Sequence, residues 1–166
     1  KFFFKSEVYL NKIFSHSKDF IKNKNVVINQ GGSFWHPISS TKFYGKKTYP
    51  ILVTRDPKGI FWSMKRRNSL SYPGHNVEVF VNWYKKIMER IDEKEFEEVI
   101  HIKYEDFFSN FSEEKAKLCN ALNIPSDTSD NFDLEYTKKN LFKFKKKLTP
   151  EEIGYIDSRL KNYIQC

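Results

Sequence analysis

Tyr49-Pro-Ile-Leu-Val-Thr-Arg-Asp-Pro-Lys-Gly-Ile-Phe-Trp-Ser63 is the stretch on which the reading of this chain turns. Its first half, Tyr49 to Thr54, is a short apolar and β-branched run that reads as a buried strand. Asp56 is a good helix cap and Pro57 suits a first helical position, so a helix is expected from there, through Ile60, Phe61 and Met64, to about Ser69. A strand that passes directly into a helix delivers Arg55 to the carboxyl edge of a sheet, where open α/β folds bind ligands. The helix start adds unsatisfied backbone N–H groups and a positive dipole end, which suit a phosphate. Ser63 stands eight residues after Arg55, on the second turn, where its hydroxyl could join the guanidinium on one phosphate while Arg66 or Arg67 adds charge. An isolated Arg-Asp-Pro is more often just a strand-to-helix turn with a solvated arginine, so the spacing to Ser63 carries the argument.

Outward from this junction the pattern alternates. A helix is expected over about Lys5 to Ile21, a strand at Val26-Val27-Ile28 ending at Gln30-Gly31-Gly32, and a loop from Ser33 to Lys47. After the Tyr72-Pro73-Gly74 break, Val77, Phe80, Val81, Tyr84, Ile87, Met88 and Ile91 form an apolar stripe. A strand from Val99 to Ile102 leads into Lys103-Tyr104-Glu105-Asp106. Ser112 is expected to cap a helix to Leu122, with Lys115 where a capping box would place Glu or Gln. A polar loop spans Pro125 to Asp133. Thr149-Pro150-Glu151-Glu152 opens a last helix, with Thr149 as cap, Pro150 at the first position and acids where the dipole favours them. Strands alternating with helices argue for a parallel sheet flanked by helices.

Composition sets the outer limits. The 166 residues fit one domain, and 17% aromatics, including 16 Phe, supply enough bulk to exclude global disorder. No apolar run is long enough to span a bilayer, and the start has no signal-peptide pattern. Cys119 and Cys166 make no metal spacing and no disulfide framework. A formal charge of +8, from 29 basic against 21 acidic residues, calls for an anionic partner without naming it. Six lysines fall within Lys138 to Lys147, interleaved with Phe142 and Phe144. Such a run is commonly a solvated helix face.

The Arg55-to-Ser63 junction resembles the signature of the sulfotransferase family, in which a strand ends in Arg-[Asp/Asn]-Pro-[Arg/Lys] and a serine follows eight residues after the arginine. Arg67, four residues beyond Ser63, also resembles the pattern, as do Trp83 in its helix, Tyr104-Glu105-Asp106-Phe107 after a strand, and the Thr149-Pro150 helix start. The resemblance runs from about Val26 to the C-terminus. It implies a three-layer α/β/α fold with a mostly parallel central sheet, P-loop nucleotide hydrolase-like, as a single domain over 1–166. It further implies 3′-phosphoadenosine 5′-phosphosulfate as sulfuryl donor, with Arg55 and Ser63 on its 3′-phosphate, joined by Arg67, and Tyr104 on its adenine.

The departures matter as much. The family's phosphate-cradling loop after the first strand has no counterpart, because the six glycines at 31, 32, 45, 59, 74 and 154 begin no such loop. The chain begins at Lys1 and not at Met, and the expectation is that this strand, loop and lysine precede it. The family's C-terminal Arg-Lys-Gly clamp is absent too. Lys139 and Lys143, four apart, are expected to share a helix face and supply cations in its place. His36 is the candidate base, the only histidine in the region where relatives carry theirs, although Gln30 stands nearer the expected position. His16, His75 and His101 have weaker claims.

The leading expectation is a sulfotransferase acting on a hydroxyl or amine of a small molecule, lipid or glycan, without a metal. The rivals are a catalytically silent nucleotide-binding module and a basic nucleic-acid-binding domain. The last ranks third, since no helix-turn-helix, zinc or ribonucleoprotein pattern is present. Scarce alanine with abundant Lys, Asn, Ile and Phe points toward a bacterial cytoplasmic protein.

Overall fold

The structure, a computed structural model, describes residues 48–67, 72–89, 99–126 and 133–164. The helix expected over Lys5 to Ile21, the strand at Val26 to Ile28, the Ser33 to Lys47 loop and His36 lie outside them. Over the described residues the fold is mixed α/β, mostly helical, with two parallel strands. Strand β1 spans Ile51–Thr54 and β2 spans Ile100–Lys103. The chain divides into two compact units, Lys1–Leu52 with Ile91–Ile100, and Val53–Arg90 with His101–Cys166. Of the first, the described residues are the beginnings of the two strands, where the Ile100 N–H donates to the Pro50 carbonyl at 3.0 Å.

The second unit carries a helical core. Helix α1, Pro57–Arg67, starts where the Asp56 carboxylate accepts from the Lys58 N–H at 2.8 Å. Lys65, Arg66 and Arg67 close it with charge that suits the negative end of the dipole. Helix α2, Val77–Met88, is capped by Asn76, whose side chain accepts from the N–H groups of Glu78 and Val79. The apolar stripe expected on α2 buries Phe80, Val81 and Tyr84. Phe61 of α1 meets Phe80 with ring centroids 5.1 Å apart.

Helix α3, Tyr104–Ser109, follows β2 without a loop, and α4, Phe111–Leu122, follows one residue later. Ser112 therefore lies inside the first turn of α4 and does not cap it. Asn110 holds the preceding position, with no side-chain cap bond. The shift has a packing reason: Phe107, Phe108 and Phe111 form one ring cluster, with Phe107 and Phe111 5.6 Å apart, which draws Phe111 into the helix. Helix α4 ends at Asn123, at φ 53, a left-handed position that asparagine tolerates.

Helix α5, Leu134–Asn140, packs beside α3 and stops before a turn at Leu141 and Phe142. A 3₁₀ helix, Lys143–Lys146, follows. Lys139 and Lys143 thus share no continuous helix face, contrary to expectation. Leu141 and Phe144 are both buried, and the three-residue repeat of the tighter turn is what brings both inward.

Helix α6, Pro150–Ile164, opens with a complete capping box. The Thr149 N–H donates to Glu152 Oε2 at 2.9 Å, and the Glu152 N–H donates to Thr149 Oγ1 at 3.2 Å. Ile156 and Leu160 of α6 complete the core with Phe61, Phe80, Val81, Tyr84, Phe144 and Leu148.

Candidate functional site

The carboxyl ends of β1 and β2 lie side by side, and each strand passes almost at once into a helix. Arg55 and Asp56 after β1 therefore meet Tyr104 and Glu105, the first two residues of α3. The Arg55 guanidinium carbon stands 4.7 Å from the Tyr104 ring centroid, a cation–π arrangement. The Asp56 N–H donates to both Glu105 carboxylate oxygens, at 3.3 and 3.2 Å, and Arg55 Nε lies 3.7 Å from one of them. Arg55 Nε itself is buried and has no hydrogen-bond partner among the described residues.

Burial pushes the Glu105 carboxyl above the ordinary carboxylate value. The N–H groups of Glu105 and Asp56 and the Arg55 charge act against that rise, while the Asp56 charge adds to it. Just before the junction, Thr54 Oγ1 and His101 Nε2 share a 2.8 Å hydrogen bond. Burial, and then the charge of Lys103, lowers the His101 pKa from its usual 6.5.

The opposite side of the junction is anchored by Lys58, a residue only 8% exposed. Its Nζ donates to Asp157 Oδ1 of α6 at 2.5 Å, lies 3.4 Å from Asp56 Oδ2, and stands 6.0 Å from the centre of the Phe144 ring. One amine thereby ties the start of α1 to α6 and to the 3₁₀ helix.

The residues named from sequence fare differently. Arg55 and Tyr104 are brought into contact. Ser63 lies half-buried one turn beyond Gly59, and Gly59 adjoins the guanidinium, so Ser63 continues the same face of α1. Arg67 is exposed at the far end, about 12 Å along the axis from Gly59 at 1.5 Å per residue. Lys139, with Asp133, Glu135, Tyr136 and Lys138, borders an open depression of about 500 Å³ on α5. Lys143 is exposed and donates to Asn140 Oδ1 at 3.2 Å. His75 is exposed beside Tyr72.

Sequence reasoning missed Glu105, Lys58 and Gly59. Lys58 had a readable signal: a cation in the first turn of a helix opposes the dipole and calls for an acidic partner. Nothing local pointed to Asp157, which is 99 positions away.

Among the described residues no helix is long and apolar enough to cross a membrane, and no group of three or more His, Cys, Asp or Glu could hold a metal ion. No protein-family model, no curated protein and no solved structure matches the chain.

Proposed function

We propose that this protein binds a 3′-phosphoadenosine nucleotide at the strand ends and transfers a sulfuryl group from 3′-phosphoadenosine 5′-phosphosulfate to a hydroxyl or amine acceptor. The observation that carries the reading is the convergence of Arg55 and Tyr104, 4.7 Å apart, at the carboxyl ends of adjacent parallel strands. A guanidinium is apt for a phosphate, an aromatic ring for a base, and Ser63 supplies a hydroxyl on the same side of α1. The finer fold belongs to the same proposal: β1 and β2 are two neighbouring strands of a three-layer P-loop sheet.

In the reaction the acceptor oxygen or nitrogen bonds to sulfur as the sulfur–oxygen bond to the donor phosphate breaks, and the acceptor proton passes to a base, for which His36 is the candidate. Lys139 and Lys143 share no helix face, so in this reading they add only a diffuse positive field and no fixed contact. The setting proposed is a bacterial cytoplasm, with a small-molecule, lipid or glycan acceptor.

Titration calorimetry of the whole chain tests the reading. Arg55→Ala should weaken 3′-phosphoadenosine 5′-phosphate at least about tenfold, the worth of one charge-assisted bond, and barely alter adenosine 5′-phosphate. Equal losses for the two nucleotides would sink it.

One observation favours the second reading, a silent nucleotide-binding module. The Asp56 N–H at the start of α1 is already engaged by the Glu105 carboxylate. Binding of the 3′-phosphonucleotide, with no sulfuryl loss from the donor in the presence of phenol and amine acceptors, would select it.

A further inference from the structure

Gly59 occupies the first turn of α1, where it is buried. Glycine is the poorest helix former after proline, and this position asks for no left-handed backbone that would explain it. What uses the missing side chain is Arg55. A Cβ at position 59 would stand 3.0 Å from Arg55 Nε and 3.4 Å from both Cζ and Nη2. The guanidinium therefore rests directly on the bare helix backbone, with the Tyr104 ring 4.7 Å from its carbon and a Glu105 oxygen 3.7 Å from its Nε.

We infer that Gly59 is a positioning residue whose lack of a side chain seats the Arg55 guanidinium, so that its terminal edge, Nη1 and Nη2, is the edge offered to a tetrahedral oxyanion. The inference rests on the anion-binding reading of Arg55. A guanidinium has two edges on which an oxyanion can be held by two bonds, one through Nε and one through the two terminal nitrogens. Here Nε is fully covered. The first edge is closed, while the side chain as a whole keeps 29% of its surface in solvent. A methyl group at 59 presses on Nε, Cζ and Nη2 together. With Tyr104 and Glu105 already holding the group, it yields by turning that terminal edge out of line. Sites of this kind depend on placement to about half an ångström.

The test is Gly59→Ala in the whole chain, because it separates fold from site. Alanine is the better helix former, so the melting temperature should hold or rise. Affinity for 3′-phosphoadenosine 5′-phosphate should drop about tenfold, with adenosine 5′-phosphate little changed. The ligand-free readout is the Arg55 Nε–H resonance in a spectrum of ¹⁵N-arginine protein, assigned by its loss in Arg55→Lys. It should move in Gly59→Ala, since the group shifts over the Tyr104 ring.

An unmoved resonance, or unchanged 3′-phosphate affinity in a wild type that does prefer the 3′-phosphate, overturns the inference. A moved resonance in a protein whose wild type does not distinguish the two nucleotides leaves Gly59 its role and removes the nucleotide reading. Should Gly59→Ala fold poorly, the pair Arg55→Ala and Arg55→Ala/Gly59→Ala decides. Without the guanidinium the alanine should raise the melting temperature, and an equal loss in both backgrounds overturns the inference.

Discussion

Two basic regions of this protein use positive charge in opposite ways. At the strand ends, Arg55 lies on Tyr104 and beside Glu105, and Lys58 is nearly buried between Asp56 and Asp157. Along Lys138 to Lys147, six lysines are exposed and none has an ion pair among the described residues. Lys143 donates to Asn140, and Lys145 lies over the Phe142 ring at 4.7 Å. The first region spends its cations on fixing geometry, and the second leaves them in water. Net charge alone gives no hint of the division.

The sharpest way to break the contrast is at Phe144, which belongs to both regions. It is the 1% exposed anchor of the lysine run and the ring beneath Lys58. Phe144→Ala should cost about 3–5 kcal/mol of unfolding free energy in a urea titration, the usual loss for a buried aromatic. A loss under about 1 kcal/mol would make the run a surface appendage of the fold.

Next in size is a direct exchange of lysines between regions. Lys58→Ala strips the cation from Asp157 and from the Asp56 cap, and should cost about 1–2 kcal/mol, since Asp157 keeps access to water. Lys146→Ala should change stability by no more than about 0.5 kcal/mol. Similar losses from the two would erase the distinction.

These pairs also explain how far the sequence could be read. The β1–α1 junction and the start of α6 were legible, because Asp56-Pro57 and Thr149-Pro150-Glu151-Glu152 specify their caps within four residues. Those caps are where the reading placed them. The helix supposed to align Lys139 with Lys143 was not legible, since its break goes with the burial of Leu141 and with the packing of Phe144 into a distant core. Ser112 misled for a similar reason: the aromatic cluster, and not the hydroxyl, sets where α4 begins. At the site, Arg55 and Tyr104 could be named singly. Their contact, and the Glu105 bond to Asp56 across 49 positions, follow only from the pairing of β1 with β2.

A smaller effect separates the regions by pH. The folded state lowers the His101 pKa below 6.5, so the unfolded chain takes up the proton first. The stability contributed by neutral His101 is whole above 6.5 and is lost as pH falls from there through the lowered folded value. Glu105 runs the other way, its raised carboxyl giving stability at low pH that is lost as pH rises through its folded value. Urea midpoints of wild type should therefore fall between pH 7.5 and 5.5 by more than those of His101→Gln. Identical pH profiles would mean that burial of neutral His101 beside Lys103 contributes nothing to stability at the strand ends.

A small expected change in stability comes with the largest change in charge. Replacing Lys143, Lys145, Lys146 and Lys147 together by Gln removes four exposed cations that no carboxylate among the described residues holds, so unfolding free energy should stay within about 1 kcal/mol of wild type. Binding of the chain to a single-stranded oligonucleotide should respond strongly. Each phosphate contact contributes about 0.7 to the slope of log affinity against log salt for single strands, so losing four lysines should flatten that slope by roughly 3 units. On the proposed reading, affinity for 3′-phosphoadenosine 5′-phosphate should be nearly unchanged, because there Arg55 would meet the anion with an oriented edge while these lysines add only a screened field. If the four substitutions weaken the nucleotide as much as Arg55→Ala does, the lysine run reaches the strand ends and the two regions are one site.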